Sequence, residues 1–268
     1  IRPWQVVFLA VGLPGLVIAA LMFTVREPKR TGRTATEGMA SGNVGFPTAF
    51  RYLLKRWKSF GVVFLCMSCI TILAYSHAWL PAYFSRTWGW EIPQFSLYNG
   101  IGLIIVGPIS VNFGGWLADR LQARGYTDGP VLVVIMGLWI MVLFSIAFPL
   151  MPTALSSFLV YLVTIVGAAM GTACAPLSLV GIAPGQIRSQ TIALFYLVIS
   201  MIGAIIGPQS VAFVTDFVIG DESAIRYSMA WVAVAVGVLA LFPTLIVRPA
   251  YREQLAEREA SLAAEPAT

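Results

Sequence analysis

Apolar residues in this chain come in long unbroken runs separated by short polar stretches. Seven runs stand out: Trp4–Val25, Phe60–Leu80, Phe95–Leu117, Pro130–Met151, Leu155–Val180, Thr191–Phe213 and Tyr227–Val247. A helix rising ~1.5 Å per residue needs about 20 apolar residues to cross a hydrocarbon core ~30 Å thick. The pattern therefore predicts seven transmembrane helices and an all-α membrane protein. Pro14, Pro108, Pro176, Pro208 and Pro243 fall within or beside these runs. Membrane helices tolerate such prolines because neighbouring helices satisfy the backbone groups they free.

Composition agrees with the pattern. Hydrophobic residues make up 58% of the chain and charged ones 11%, whereas a soluble domain carries about a quarter charged residues. That shortfall excludes an ordinary soluble globule, and the hydrophobicity excludes disorder. The first apolar run has span length, too long for the core of a signal peptide. The chain starts at Ile1 without an initiator Met and reads as a fragment.

Charge orients the spans. Arg26, Lys29, Arg30, Arg33, Arg51, Lys55, Arg56, Lys58, Arg120, Arg124, Arg188, Arg248, Arg252 and Arg258 follow the odd-numbered spans, fourteen of the 17 basic residues. The other side holds only Arg2, Arg86 and Arg226. The positive-inside bias puts the long loop and the C-terminus in the cytoplasm. The net charge of +5 follows from this topology, and nucleic acid is not an expected partner. Trp139 apart, the tryptophans cluster at span ends, where an interfacial aromatic belt belongs.

The connections divide the chain into residues 1–25, a helix closing a preceding bundle; 26–58, a basic cytoplasmic loop; 59–248, six closely joined spans; and 249–268, a charged, solvated cytoplasmic tail. A long connector ahead of six spans has the layout of the junction between two six-helix transporter halves. The rival architecture is a seven-helix receptor. Against it, the last span holds no lysine for a retinal Schiff base, the outer loops hold no cysteine pair, and the long loop is misplaced.

The segment Gly114-Gly115-Trp116-Leu117-Ala118-Asp119-Arg120-Leu121-Gln122-Ala123-Arg124 is similar to the Gly-x-x-x-Asp-Arg-x-Gly-x-Arg-Arg element of the major facilitator superfamily. Gln122 stands at the usual second glycine. Pro3–Arg30, with a Gly-Leu-Pro-Gly turn and a closing Arg-Glu-Pro, resembles the sixth helix of such proteins. Pro184-Gly185-Gln186-Ile187-Arg188, Gly203, Gly207-Pro208 and Thr215-Asp216 resemble the tenth-to-eleventh helix region of spinster-like members, although Ser200 replaces a frequent Asn.

The resemblance implies the C-terminal half-bundle of a twelve-helix fold plus one helix. It also implies alternating-access transport of a small organic or amphipathic solute. The bilayer and a preceding N-terminal half are the implied partners, with a coupling proton or sodium ion in a symporting member. A bacterial inner membrane is the implied location. No cofactor or enzymatic activity is expected, and a non-transporting scaffold is the remaining alternative.

Within the loop motif, Gly115 is expected to let two helices approach closely. Asp119 is expected to pair with Arg188 or a helix N-terminus, while Arg120 and Arg124 hold cytoplasmic faces together in one state of a gate. For the solute path, polar groups at membrane depth are the candidates: Ser68, Thr71 and Tyr75 on one helix face, Asn99, Thr164, then Tyr196 and Ser200 one turn apart, and Gln209. The competing reading gives the hydroxyls to their own helix backbones and the larger groups to helix–helix hydrogen bonds. Gly203, Gly207 and Pro208 are expected to serve helix packing. No Asp, Glu, Lys or Arg sits at a span's midplane. Lone His77 and the Cys66-x-x-Cys69 pair read as structural.

Overall fold

The computed structural model describes residues 3–24 and 45–263. The basic residues from Arg26 to Arg33 therefore lie outside the described residues, as do the Arg-Glu-Pro that closes the first helix and the last five residues of the tail. Two compact units are present, Ile1–Arg33 and Thr34–Thr268. In the first, α1 runs over Pro3–Met22 for 20 residues and continues past Pro14, the length that a span of ~30 Å requires.

The second unit is entirely helical among the described residues. It comprises α2 (Phe46–Lys55), α3 (Trp57–Ser76), α4 (Leu80–Trp88), α5 (Ile92–Ala123), α6 (Gly129–Ala147), α7 (Ala154–Ile182), α8 (Arg188–Phe213) and α9 (Ile225–Ala263). A 3₁₀ turn, His77–Trp79, joins α3 to α4, and a π-helical turn, Val214–Ile219, extends α8. With these joints included, six helices are long and apolar enough to cross a membrane: 57–88, 92–123, 129–150, 154–182, 188–219 and 222–260. They alternate in direction through short connections.

Helix starts and stops follow local chemistry. Pro81, Pro93 and Pro130 occupy first-turn positions, where a missing N–H costs nothing. Thr153 and Ser156 form a reciprocal capping box on α7. Gly89 ends α4 at φ +69°, a left-handed conformation that favours glycine.

Because lipid is as apolar as the helices, close packing rather than water exclusion holds a bundle together. At Gly137 on α6 and Gly167 on α7 a Cβ would lie 2.5 Å from the facing carbonyl, so the two backbones touch. α3 packs against α8, α9, α6 and α7, which places it centrally, and α5 lies against α7. α5 and α8 are the least buried spans.

Two elements differ from the sequence expectation. The basic loop contains a helix, α2, that the pattern of spans concealed because it is short and only half apolar. The segment from Arg248 is not a solvated tail: α9 continues unbroken through Pro243 and Pro249, and Tyr251 and Gln254 are buried. Tyr251 donates to the Ser178 carbonyl at 3.2 Å, and Arg258 donates to the carbonyls of Val180 and Gly181. These contacts give the polar end of α9 a packed side that a charge-spacing argument does not see.

Candidate functional site

The loop motif closes α5 at the basic end of the bundle. Asp119, Arg120 and Arg124 are all exposed. Asp119 does not pair with Arg188: the Arg188 Nε donates to the Ala183 carbonyl at 3.2 Å, and no ion pair joins the two among the described residues. Arg120 instead stacks over Trp116 at 5.3 Å, and Arg124 is the C-cap of α5.

The close helix approach expected of Gly115 falls one residue earlier. A Cβ on Gly114 would meet the Met170 Cα at 3.1 Å, while the space off Gly115 is open. One residue is about 100° of helix rotation, so the bundle takes Gly114 and leaves Gly115 facing outward with Asp119, one turn on.

The ion cluster that the sequence did not reveal is centred on Asp128. Its carboxylate accepts from Arg248 Nε at 2.9 Å and from Arg252 at 2.8 Å. Asp128 precedes α6 and is fully buried. Burial pushes its carboxyl upward, but the hydrogen bonds from Arg252 and Arg248, with their charges, outweigh that and hold it below its ordinary value. The sequence pattern assigns Arg248 and Arg252 only to topology. The available signal was an Asp beside Gly129-Pro130, a helix start (where an acid suits the dipole).

Tyr52, Arg56 and Glu257 form a second contact at this end. Arg56 bridges to Glu257 at 3.1 Å and lies 4.6 Å over the Tyr52 ring. At the opposite end Arg86 pairs with Glu222 at 3.0 Å, and Arg226 donates to the Pro149 carbonyl at 3.1 Å.

The path candidates divide by environment. Ser68 is buried with no hydrogen-bond partner for its hydroxyl. Thr71 donates to its own helix at Ser68 and across to the Ile199 carbonyl of α8, each at 3.0 Å. Thr164 is fully buried and donates to the Tyr161 carbonyl at 2.6 Å. Asn99 accepts from the Tyr161 hydroxyl at 2.9 Å, tying α5 to α7.

Tyr75, Tyr196 and Ser200 are exposed. Tyr75 lies at the α3–α8 seam, where Cβ atoms on Gly203 and Gly207 would come within 2.6–3.1 Å of the Thr71, Tyr75 and Ile72 groups facing them, and Tyr196 and Ser200 share the helix face of those glycines. The Pro208 carbonyl accepts from Trp79 at 2.9 Å. Gln209 lines an apolar groove of about 600 Å³ between α8 and α9, which Phe213, Trp231 and Ile72 of α3 also border. His77 sits edge-on to Phe148 and Tyr161, and Cys66 and Cys69 are free and buried. No cluster of metal-ligating groups occurs among the described residues.

Against known proteins, residues 1–208 match the sequence profile of the Major Facilitator Superfamily. The chain belongs to the Major Facilitator Superfamily. The fold matches solved structures of a bacterial homologue of the human lysosomal transporter Spinster. In its inward-facing, unoccupied conformation that homologue aligns with a TM-score of 0.61 at 19% identity, over 94% of this chain and 60% of that one. Its inward-facing, occupied conformation gives 0.58 at 19% identity, over 93% and 58%. The chain thus spans about three-fifths of the length of this relative. No curated protein matches the chain. Family and fold together make this an integral membrane protein, the C-terminal six spans of the superfamily's architecture preceded by one helix, and they do not favour the receptor alternative.

Proposed function

We propose that the chain contributes the C-terminal half-bundle of a secondary transporter that moves a small organic or amphipathic solute by alternating access. The observation that carries this reading is the superfamily match over residues 1–208 joined to a bundle whose α5 and α8 are largely uncovered. Lipid can cover an apolar face, but two spans with so little burial also offer the faces that the other half covers in a two-halved transporter.

In this reading Tyr75, Tyr196 and Ser200 face the solute along the α3–α8 seam, with Thr71 behind them. Asn99 and Thr164 support the helices from within, and Ser68 lies buried behind the same face of α3. Gln209 meets the groove between α8 and α9. Gly115, Asp119, Arg120 and Arg124 form a contact that the preceding half makes in one state and releases in the other, and Arg188 steadies the start of α8. The basic end faces the cytoplasm. With no charge at midplane in any of these spans, any coupling ion and any charged part of the solute are held by the other half of the transporter.

Asp119→Asn tests the gate. Reconstituted with its preceding half, the variant inserts normally but exchanges solute at least about fivefold more slowly, the lower range for a coupled contact. Wild-type exchange by Asp119→Asn removes Asp119 from the gate.

A further inference from the structure

Helix α2 carries three stripes, each with the i, i+4 spacing of one helix face. Ala49 and Leu53 are buried, Ala49 together with Ile187 at the start of α8. Phe46, Phe50 and Leu54 form an apolar stripe that is 41–56% exposed, with the two phenyl rings stacked at 6.0 Å. Arg51 and Lys55 form a basic stripe beyond it and are exposed. At about 100° per residue, the exposed apolar stripe lies between the packed stripe and the basic one.

The helix is held by one side only. Arg56 and its bridge to Glu257 fix the joint to α3, and Tyr52 meets Phe60 edge-on at 6.1 Å. From Phe46 to Lys58 the sequence has four cations and no acid, and Arg51, Lys55 and Lys58 form no ion pair among the described residues. Only Arg56 separates α2 from Trp57, where the first long span of this unit begins. Trp57 is itself 49% exposed, an aromatic at the position of the interfacial belt. A helix one residue from a span cannot leave the bilayer surface. An exposed apolar stripe beside an uncompensated basic one is what an interfacial helix offers to a lipid surface.

We infer that α2 is an anionic-lipid anchor: Phe46, Phe50 and Leu54 insert at the headgroup–acyl boundary, while Arg51, Lys55 and Lys58 hold anionic headgroups. This role is independent of whether the bundle moves solute. It fixes α2 and, through Arg56–Glu257, the last turns of α9 against one leaflet.

The test uses Phe50→Cys and Lys55→Cys, each labelled with an environment-sensitive fluorophore; the native cysteines are buried and stay unlabelled. The full chain is placed in nanodiscs of phosphatidylcholine alone or mixed with phosphatidylglycerol, with quencher-bearing acyl chains on one lipid at a time. Position 50 is expected to be quenched by acyl-chain quencher and position 55 not, with phosphatidylglycerol quenching preferred. Arg51→Gln/Lys55→Gln/Lys58→Gln in the Phe50→Cys background lowers that preference by roughly fivefold per cation at most.

Equal quenching at the two positions overturns the insertion. Protection of position 50 from both lipid and aqueous quenchers also overturns it, and assigns the stripe to a protein partner. Indifference to phosphatidylglycerol overturns the headgroup contact.

Discussion

Asp128 is wholly buried, while its partners Arg248 and Arg252 are 40% and 47% exposed at their side chains, and this imbalance sets what each substitution does. Removing the acid leaves two arginines that water can reach. Removing both arginines leaves a buried carboxylate with nothing to compensate it. Arg248→Ala/Arg252→Ala is therefore expected to cost about 2–3 kcal/mol, the upper range for leaving a charged acceptor without its donors, since truncation also lets water approach. Asp128→Asn is expected to cost about 1–2 kcal/mol, nearer to a lost charged hydrogen bond. Unfolding in nanodiscs checks the order; a larger loss for Asp128→Asn would contradict it. The folded-state pKa of Asp128 lies below the unfolded value. Its stabilisation is thus complete above about pH 4 and is lost as pH falls through the folded value. An acid titration of wild type against Asp128→Asn should show the two stabilities converging there. Sequence reasoning passed over this acid because its partners are more than a hundred residues away, on a segment read as tail.

At the scale of helices, glycine positions separate packing within the bundle from contact outside it. A Cβ at Gly207 would lie 2.6 Å from the Ile72 carbonyl, and backbone cannot yield as a side-chain tip can. Gly207→Val is expected to destabilise the bundle by roughly 1–3 kcal/mol through overpacking. Gly115→Ala meets open space and should leave bundle stability unchanged, yet slow exchange when the preceding half is present. A stability loss at Gly115 equal to that at Gly207 would remove the distinction.

The existence and order of the spans were legible from sequence because each is a long apolar run. Gly203 and Gly207, four residues apart, pointed to the close contact of α8 with α3. Helix phase was not legible: Gly114 and Gly115 are adjacent and equally small, and only the packed bundle decides which one meets Met170. α2 escaped notice for a related reason, since its stripes become visible only once one of them is seen to be buried.

For the whole molecule, the proposal is that a path between this six-helix bundle and the preceding half, bordered by the α3–α8 seam, opens to each side of a membrane in turn. Ser200 is the most direct probe: it is exposed, lies near the middle of the 188–219 span, and shares the helix face of Gly203 and Gly207. The measurement is labelling of Ser200→Cys by a membrane-impermeant maleimide, applied separately to each face of proteoliposomes holding the protein with its preceding half. Alternating access predicts labelling from either face, with Asp119→Asn changing the ratio of the two rates. Labelling from one face only, or from neither, would contradict a moving transporter and leave the bundle as a static membrane scaffold.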